Sequence, residues 1–103
     1  MAEVRENQDE NRFEIWVDGE LAGFTQHRGI GAVVSLVHTE IGDRFGGQGL
    51  ATQLIGRTLD LLRERDAQVL PFCPFVKAYI DKHPDYLGLV PADRRRTFGL
   101  PAE

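Results

Sequence analysis

The sequence has few of the features that mark a secreted, membrane-spanning or nucleic-acid-binding protein. It contains one cysteine in 103 residues, which excludes an internal disulfide and leads us to expect a reducing compartment, the cytoplasm. No apolar run approaches the roughly 20 residues of a membrane span, and the polar start of the chain has no signal-peptide core. The formal net charge of −4 argues against a nucleic acid or a membrane surface as partner.

Metal-binding patterns are also missing. His27, His38 and His83 lie far apart in the sequence, and none belongs to the paired spacing on a helix that zinc sites use. We therefore expect no metal. A hydrophobic fraction of 42% in so short a chain supports one modest core, and hence one domain.

What the sequence does contain is a glycine cluster between a predicted strand and a predicted helix. Ala32–Val37 is apolar on both faces, which predicts a central strand covered on both sides. Leucines at helical spacing from Leu50 to Asp66 predict a long helix. Between them stands Arg44-x-x-Gly47-x-Gly49. Such glycines let backbone N–H groups approach an anion at the positive end of the helix, which favours an anion-binding loop. The alternative interpretation of the cluster is a glycine-rich turn that binds nothing.

Two better-known phosphate motifs do not fit this cluster. A P-loop requires Gly-Lys-Ser/Thr, but Gly49 is followed by Leu50. The dinucleotide fingerprint requires a further glycine or alanine where this chain has Thr52. That fingerprint also follows the first strand of a βαβ unit, whereas the cluster in this chain comes after a predicted hairpin. The loop is therefore of another kind.

The N-terminal third predicts an antiparallel hairpin. Residues 1–11 carry no apolar period, so we expect a flexible start. Alternation from Phe13 to Phe24 on both sides of Asp18-Gly19 predicts two strands and a tight turn. Residues 27–31 predict a second turn.

The C-terminal half predicts a mixed α/β arrangement. Gln68–Phe72 predicts a strand parallel to the central one, because the long helix is a crossover connection. Pro74–Lys82 predicts a second, shorter helix. We place the domain at residues 12–90 and expect a solvated tail over residues 91–103, including its three consecutive arginines.

These segments resemble a known family. Arg44-x-x-Gly47-x-Gly49 is similar to the pyrophosphate loop of the GNAT superfamily, the acyl-CoA-dependent N-acetyltransferases. HTEI (residues 38–41), GGQGLA (46–51) and LPFCPFVKAYIDKHPDY (70–86) resemble its minimal, single-domain members. The resemblance implies a minimal GNAT fold, in which the strands before and after the long helix splay apart and admit the pantetheine arm of the cofactor.

The implied activity is transfer of an acetyl group from acetyl-CoA to an amine, on a protein lysine or N-terminus or on a small molecule. No segment predicts the N-terminal helices that build the acceptor pocket of larger members, and His83-Pro84 replaces their Gly-Phe. A CoA-binding or protein-interaction module without turnover is therefore the alternative, as a monomer or weak dimer. The resemblance assigns these residues to the CoA thioester: Thr39, Ile41, Arg44, Phe45, Gly46, Gly47, Gln48, Gly49, Leu50, Ala51 and Thr52.

Four residues are candidates for the chemistry. Cys73 precedes the second helix, whose N-terminus can stabilise a thiolate, so it is either an acyl-accepting nucleophile or a small buried hydrophobe. His38 and Glu40 share one strand face and could deprotonate an ammonium; alternatively His38 lies near the core and Glu40 orients the loop. Tyr79 stands where many superfamily members keep a tyrosine that protonates the leaving thiolate, or else it packs on the sheet.

Overall fold

The protein is built on a five-stranded sheet in the order β1-β2-β3-β4-β5, seen in a computed structural model that describes residues 2–29 and 32–101. The first four strands are antiparallel, and β5 is parallel to β4. The strands are Ala2–Asn7 (β1), Arg12–Val17 (β2), Glu20–Arg28 (β3), Val33–Ile41 (β4) and Gln68–Pro71 (β5).

Two helices follow the antiparallel strands, and they confirm the predicted mixed α/β fold. Helix α1 spans Leu50–Glu64, and helix α2 spans Pro74–Lys82. Short 3-10 helices cover Asp43–Phe45, Pro84–Leu89, Ala92–Arg94 and Arg96–Phe98. Among the described helices, none is long and apolar enough to cross a membrane.

The β2–β3 hairpin forms where the sequence predicts it. Asp18 and Gly19 have φ values of 49° and 83°, the pair of left-handed conformations that a type I′ turn requires. Phe13 and Ile15 are fully buried beneath α1, as the alternation predicts. We call this side of the sheet the helix face and the opposite side, which carries Trp16, the open face.

The predicted flexible start is wrong for Ala2–Asn7, which form β1. This strand pairs with β2 over its whole length, from Ala2↔Val17 to Asn7↔Arg12. Ala2 and Val4 pack against the core, while Glu3 and Arg5 are exposed. An edge strand needs only such a thin apolar stripe, because backbone hydrogen bonds to its neighbour hold it in place. Met1 lies outside the described residues.

The prediction that both faces of the central strand are covered is also wrong. β4 does lie inside the sheet, between β3 and β5, but only Leu36 is fully buried, and Val33 is 38% exposed. Helix α1 packs against all five strands, and Gly56 of α1 contacts Tyr79 of α2. The buried residues of both helices belong to the same core as Phe13 and Leu36, so both helices lie on the helix face of the sheet.

The expected solvated tail instead packs against the core. Leu100 is 5% exposed, and Phe98 makes an edge-on contact with Phe72, with 5.0 Å between ring centroids. The Nε of Arg95 donates a hydrogen bond to the Val90 carbonyl oxygen at 3.0 Å, and Arg94 lies over the Phe98 ring. Phe98 ends a single-turn helix and Leu100 follows it outside any helix or strand, so neither belongs to a periodic pattern that the sequence could reveal. Residues 102–103, with residues 30–31 of the second predicted turn, lie outside the described part.

The contact between α1 and the 3-10 helix Pro84–Leu89 yields a prediction about alkaline stability. Tyr86 donates a hydrogen bond to Asp60 Oδ1 at 2.7 Å, and this bond raises the pKa of Tyr86 from 10.0 to about 12. A raised pKa means that the contribution to stability is complete below the unfolded-state pKa and lost as the pH rises through the folded-state pKa.

In an ultraviolet titration we expect one of the two tyrosines to ionise near pH 12. Asp60→Ala should bring that step down towards the ordinary value, and Tyr86→Phe should abolish it. An unchanged step in Asp60→Ala would show that the hydrogen bond is not its cause.

Candidate functional site

The loop before α1 has an open, uncapped backbone. Gly47 and Gly49 have φ values of 78° and 70°, in the left-handed region that favours glycine, and no atom lies within 4 Å of a Cβ built on either. Gly49 is the N-cap of α1, but no described side chain caps this helix, and its first turn has no acidic residue. Its leading N–H groups therefore face solvent with the partial positive charge that binds anions.

Arg44 lies on the outer side of this loop. Its guanidinium donates a hydrogen bond to Glu20 Oε2 at 2.9 Å and lies 5.4 Å from the centroid of the Phe45 ring. The Arg44 side chain is 76% exposed. Exposed ion pairs contribute roughly 0–1 kcal/mol, so a phosphate could replace Glu20 at little cost.

β4 and β5 separate beside this loop. Their registered pairs run from Val33↔Gln68 to Leu36↔Pro71, after which the Cys73 N–H donates one further bond to the Leu36 carbonyl oxygen at 2.8 Å. β4 continues to Ile41, whereas the chain after Pro71 turns into α2. Proline has no N–H with which to extend the ladder. The result is an opening between the second half of β4 and the start of α2.

A groove of about 140 Å³ lies between α1 and α2 near the loop. Its lining combines a lysine with aromatic and aliphatic side chains. An elongated ligand with an anionic end would find there both a cation and apolar surface. The residues are Thr52, Phe75, Ala78, Tyr79, Lys82 and His83.

Cys73 is buried at the opening, on the helix face. It is 4% exposed, and its Sγ lies 3.3 Å from Thr39 Oγ1. Thr39 Oγ1 in turn lies 2.9 Å from Thr25 Oγ1, and Thr25 is fully buried. We call this chain of polar atoms the Thr25–Thr39–Cys73 bridge. Thr25 was not among the predicted site residues. Simple alternation from the hairpin turn would place Phe24 opposite Phe13, and only the register shift between Ile15 and Trp16 brings Thr25 there instead.

His38 and Glu40 lie on the opposite side of the same strand. His38 Nε2 and Glu40 Oε1 are 3.4 Å apart, and their side chains are 55% and 61% exposed. His38 therefore does not lie near the core, as one interpretation of the sequence proposed. Because Thr39 stands between them in the chain, β4 presents the possible bases to the open face and the bridge to the helix face.

Tyr79 is placed between the two helices. Its ring stacks on His83, with centroids 4.1 Å apart, and lies 5.8 Å from the Tyr86 ring. Its hydroxyl is directed at Gly56 of α1, where an added Cβ would be only 2.6 Å away. The structure thus brings Tyr79 to the groove, while Cys73 and the pair of His38 and Glu40 occupy the two sides of the opening.

The open face holds a second polar cluster, next to β1. Glu14 is 5% exposed and accepts hydrogen bonds from Arg12, Trp16 and Asn7 at 2.8, 3.1 and 3.0 Å. Burial opposes ionisation, but these three donors together hold the pKa of Glu14 below its usual value. The bond from its indole N–H to Glu14 holds Trp16 against the open face of the sheet. Across residues 2–29 and 32–101, no three His, Cys, Asp or Glu side chains come together as a metal site.

Known proteins share both the sequence pattern and the fold. A family model described as GCN5-related N-acetyl-transferase matches residues 12–89. The protein NATD1 of Homo sapiens is 33% identical over 52 residues, which cover 50% of this chain and 46% of that protein. NATD1 of Mus musculus has the same identity and is covered to 47%. The chain therefore spans about half the length of the curated relatives it matches.

Two solved structures resemble the fold at low sequence identity. A GCN5-like protein from Staphylococcus aureus, solved by NMR, superposes with a TM-score of 0.64 at 23% identity, covering 86% of this chain and 87% of that one. A ribosomal-protein-alanine N-acetyltransferase from Brucella melitensis gives a TM-score of 0.51 at 22% identity, covering 78% and 60% of the two chains. At this identity the likeness concerns the fold alone.

The close approach of α1 to Tyr79 yields a prediction. Gly56→Ala places a methyl group where the Tyr79 hydroxyl now lies, so we expect the Tyr79 and His83 rings to shift together. The helix itself gains about 1 kcal/mol from alanine, which offsets the cost of moving Tyr79. Aromatic NMR spectra should show displaced Tyr79 and His83 resonances with a thermal midpoint close to that of the wild type.

Gly88→Ala is the matched control, because no atom lies within 4 Å of a Cβ at Gly88. It should leave both rings in place. Unshifted Tyr79 resonances in Gly56→Ala would contradict the packing described here.

Proposed function

The chain belongs to the GCN5-related N-acetyltransferase family, and from this we propose that it transfers an acetyl group from acetyl-CoA to a primary amine. The observation that carries the proposal is the separation of β4 from β5 next to an uncapped helix N-terminus. A long ligand with a phosphate group at one end and a thioester at the other would fit this combination.

The phosphate end would lie against the loop. Backbone N–H groups at the start of α1 would donate to the pyrophosphate, and the left-handed glycines Gly47 and Gly49 leave room for it. Arg44 would add a cation by exchanging Glu20 for phosphate. The pantetheine arm would then follow β4 at Thr39 and Ile41, where registered pairing to β5 has ended.

The amine would approach from the open face. A neutral amine attacks the thioester carbonyl carbon, the C–N bond forms, and the C–S bond breaks with departure of the CoA thiolate. The amine loses a proton in this step, and Glu40 or His38 would accept it, because both side chains are exposed to an incoming amine. The two groups lie 3.4 Å apart, so either could take the proton at the same position. Tyr79, at the groove, is our candidate to protonate the leaving thiolate.

Direct attack by the amine fits the site better than a covalent intermediate on Cys73. The Cys73 side chain is 4% exposed and lies on the helix face, whereas the possible bases lie on the open face. An acyl group on Cys73 would replace the contact of the sulfur with Thr39 and would lie on the side of β4 away from those bases. We therefore assign deprotonation of the acceptor to the open face and leave Cys73 without a covalent role.

A module that binds CoA without turnover is the second candidate. The open face around Glu40 is shallow: a depression of about 180 Å³, formed by strand residues and the following Gly42, gives an acceptor little surface to bind. Saturable CoA binding without transfer to any of a broad panel of amines, peptides and proteins would favour this second function.

The loop assignment predicts a loss of CoA binding in Gly47→Glu. The new carboxylate would lie beside the pyrophosphate, and like charges a few ångströms apart near a protein surface repel by about 1–4 kcal/mol. We expect calorimetric titration to show CoA affinity reduced by about tenfold or more, since 1.4 kcal/mol corresponds to about tenfold.

Gly99→Glu is the matched control. Gly99 also has a positive φ, of 71°, and only Lys77 atoms, at 3.7 Å or more, would contact a Cβ there. This variant therefore adds the same strain and the same charge in the C-terminal segment and should retain CoA affinity. Equal affinities for CoA in the wild type and Gly47→Glu would refute the loop assignment.

Removing the open-face bases should impair transfer and spare cofactor binding. General-base catalysis contributes about 10²- to 10⁴-fold. For whichever amine of the panel is acetylated, we expect Glu40→Gln combined with His38→Gln to lower the rate by about that range, as followed by the mass of the product. Calorimetry should show unchanged CoA affinity. A full transfer rate in the double variant would mean that the base lies elsewhere.

A further inference from the structure

The Thr25–Thr39–Cys73 bridge spans the opening between β4 and β5. Registered pairing ends at Leu36↔Pro71, and Thr39 lies three residues further along β4, while Cys73 lies two residues beyond Pro71. Although the two backbones diverge here, the side chains of Thr39 and Cys73 are in contact, with 3.3 Å between Oγ1 and Sγ. The contact closes the opening on its helix face.

The bridge is held in a fixed position from behind. Thr25 is fully buried on β3, directly opposite Thr39 in the register, and its hydroxyl contacts the Thr39 hydroxyl at 2.9 Å. Threonine is β-branched and has few χ1 choices in a strand. Cys73 is fixed in turn by its backbone bond to Leu36 and by its place as the N-cap of α2. The sulfur therefore has little freedom to move aside.

We propose that the bridge limits the length of the acyl chain that the site accepts, with the Cys73 sulfur as the wall behind a two-carbon acyl group. The inference rests on the proposed function. A thioester lying along β4 at Thr39 would have the bridge on the helix face and His38 and Glu40 on the open face. In that position the acyl methyl group would point at Cys73, and the carbonyl carbon would stay accessible to the amine.

Each bridge residue has a separate task under this proposal. Cys73 determines specificity, because its sulfur occupies the space that a longer acyl chain would need. Thr39 and Thr25 are positioning residues, which act by holding that sulfur. The chemistry of the thiol is not required, so serine should serve in place of cysteine.

The test compares calorimetric affinities for CoA, acetyl-CoA and butyryl-CoA, and it needs no acceptor. One methylene more or less in a fitted pocket changes discrimination by roughly 10- to 200-fold. We expect the wild type to prefer acetyl-CoA over butyryl-CoA by at least about tenfold. Cys73→Ala should reduce that preference by about tenfold, with the affinity for CoA itself unchanged.

Matched variants distinguish a specific loss of acyl-length selectivity from general damage to the fold. Cys73→Ser should keep the preference for acetyl-CoA. Thr25→Val, which has the same shape without the hydroxyl, should weaken it, and Thr25→Ser should restore it. Thermal unfolding of each variant shows whether the core has survived. If Cys73→Ala does not fold, the comparison of Thr25→Val with Thr25→Ser carries the test, and a preference unchanged in folded Thr25→Val then contradicts the inference.

Two results would overturn the inference. One is equal affinity of the wild type for acetyl-CoA and butyryl-CoA; the other is an unchanged preference in folded Cys73→Ala. Either result, obtained with measurable CoA binding, leaves the proposed function intact. Absence of CoA binding in the wild type would instead remove the proposed function, and the inference with it.

Discussion

The register between β4 and β5 is the constraint on which the rest of the site depends. Four residue pairs hold these strands together, and the last of them contains Pro71, which cannot donate to the ladder. The chain must then leave the sheet, and it does so by starting α2 at Pro74, where proline suits the first turn. The opening, the burial of Cys73 and the placing of Tyr79 against α1 all follow from that early ending.

The two faces of β4 differ in burial, and the candidate residues are divided between them. On the helix face, the partly buried Thr39 meets Thr25 and Cys73, which are both buried. On the open face, His38 and Glu40 remain in solvent. The open face does not need a covering layer to be ordered, because Glu14 is satisfied by three donors from its own sheet. Under the proposed function, an exposed face of this kind would suit an acceptor that arrives from solution.

Local patterns in the sequence predicted those elements whose cause is local. The hairpin turn at Asp18-Gly19 requires residues that tolerate positive φ, and α1 requires apolar residues at helical spacing. The loop glycines were found for the same reason. β1 and the C-terminal segment escaped prediction, because β1 is held mainly by backbone bonds to β2 and Leu100 by contacts with residues distant in sequence. Neither kind of interaction produces a periodic pattern.

The sequence by itself determined the family, the order of the main elements and the glycine loop before α1, because each of these depends on residues close together in the chain. It also placed His38 and Glu40 on one strand face by simple alternation. Only the tertiary structure decided that this face is open and that Cys73 lies on the other side of the sheet, joined to Thr39 and Thr25. Those relations depend on the register of three strands and on the direction in which α2 leaves the sheet. Contacts between residues 14 and 34 positions apart fix both, and no local pattern encodes them.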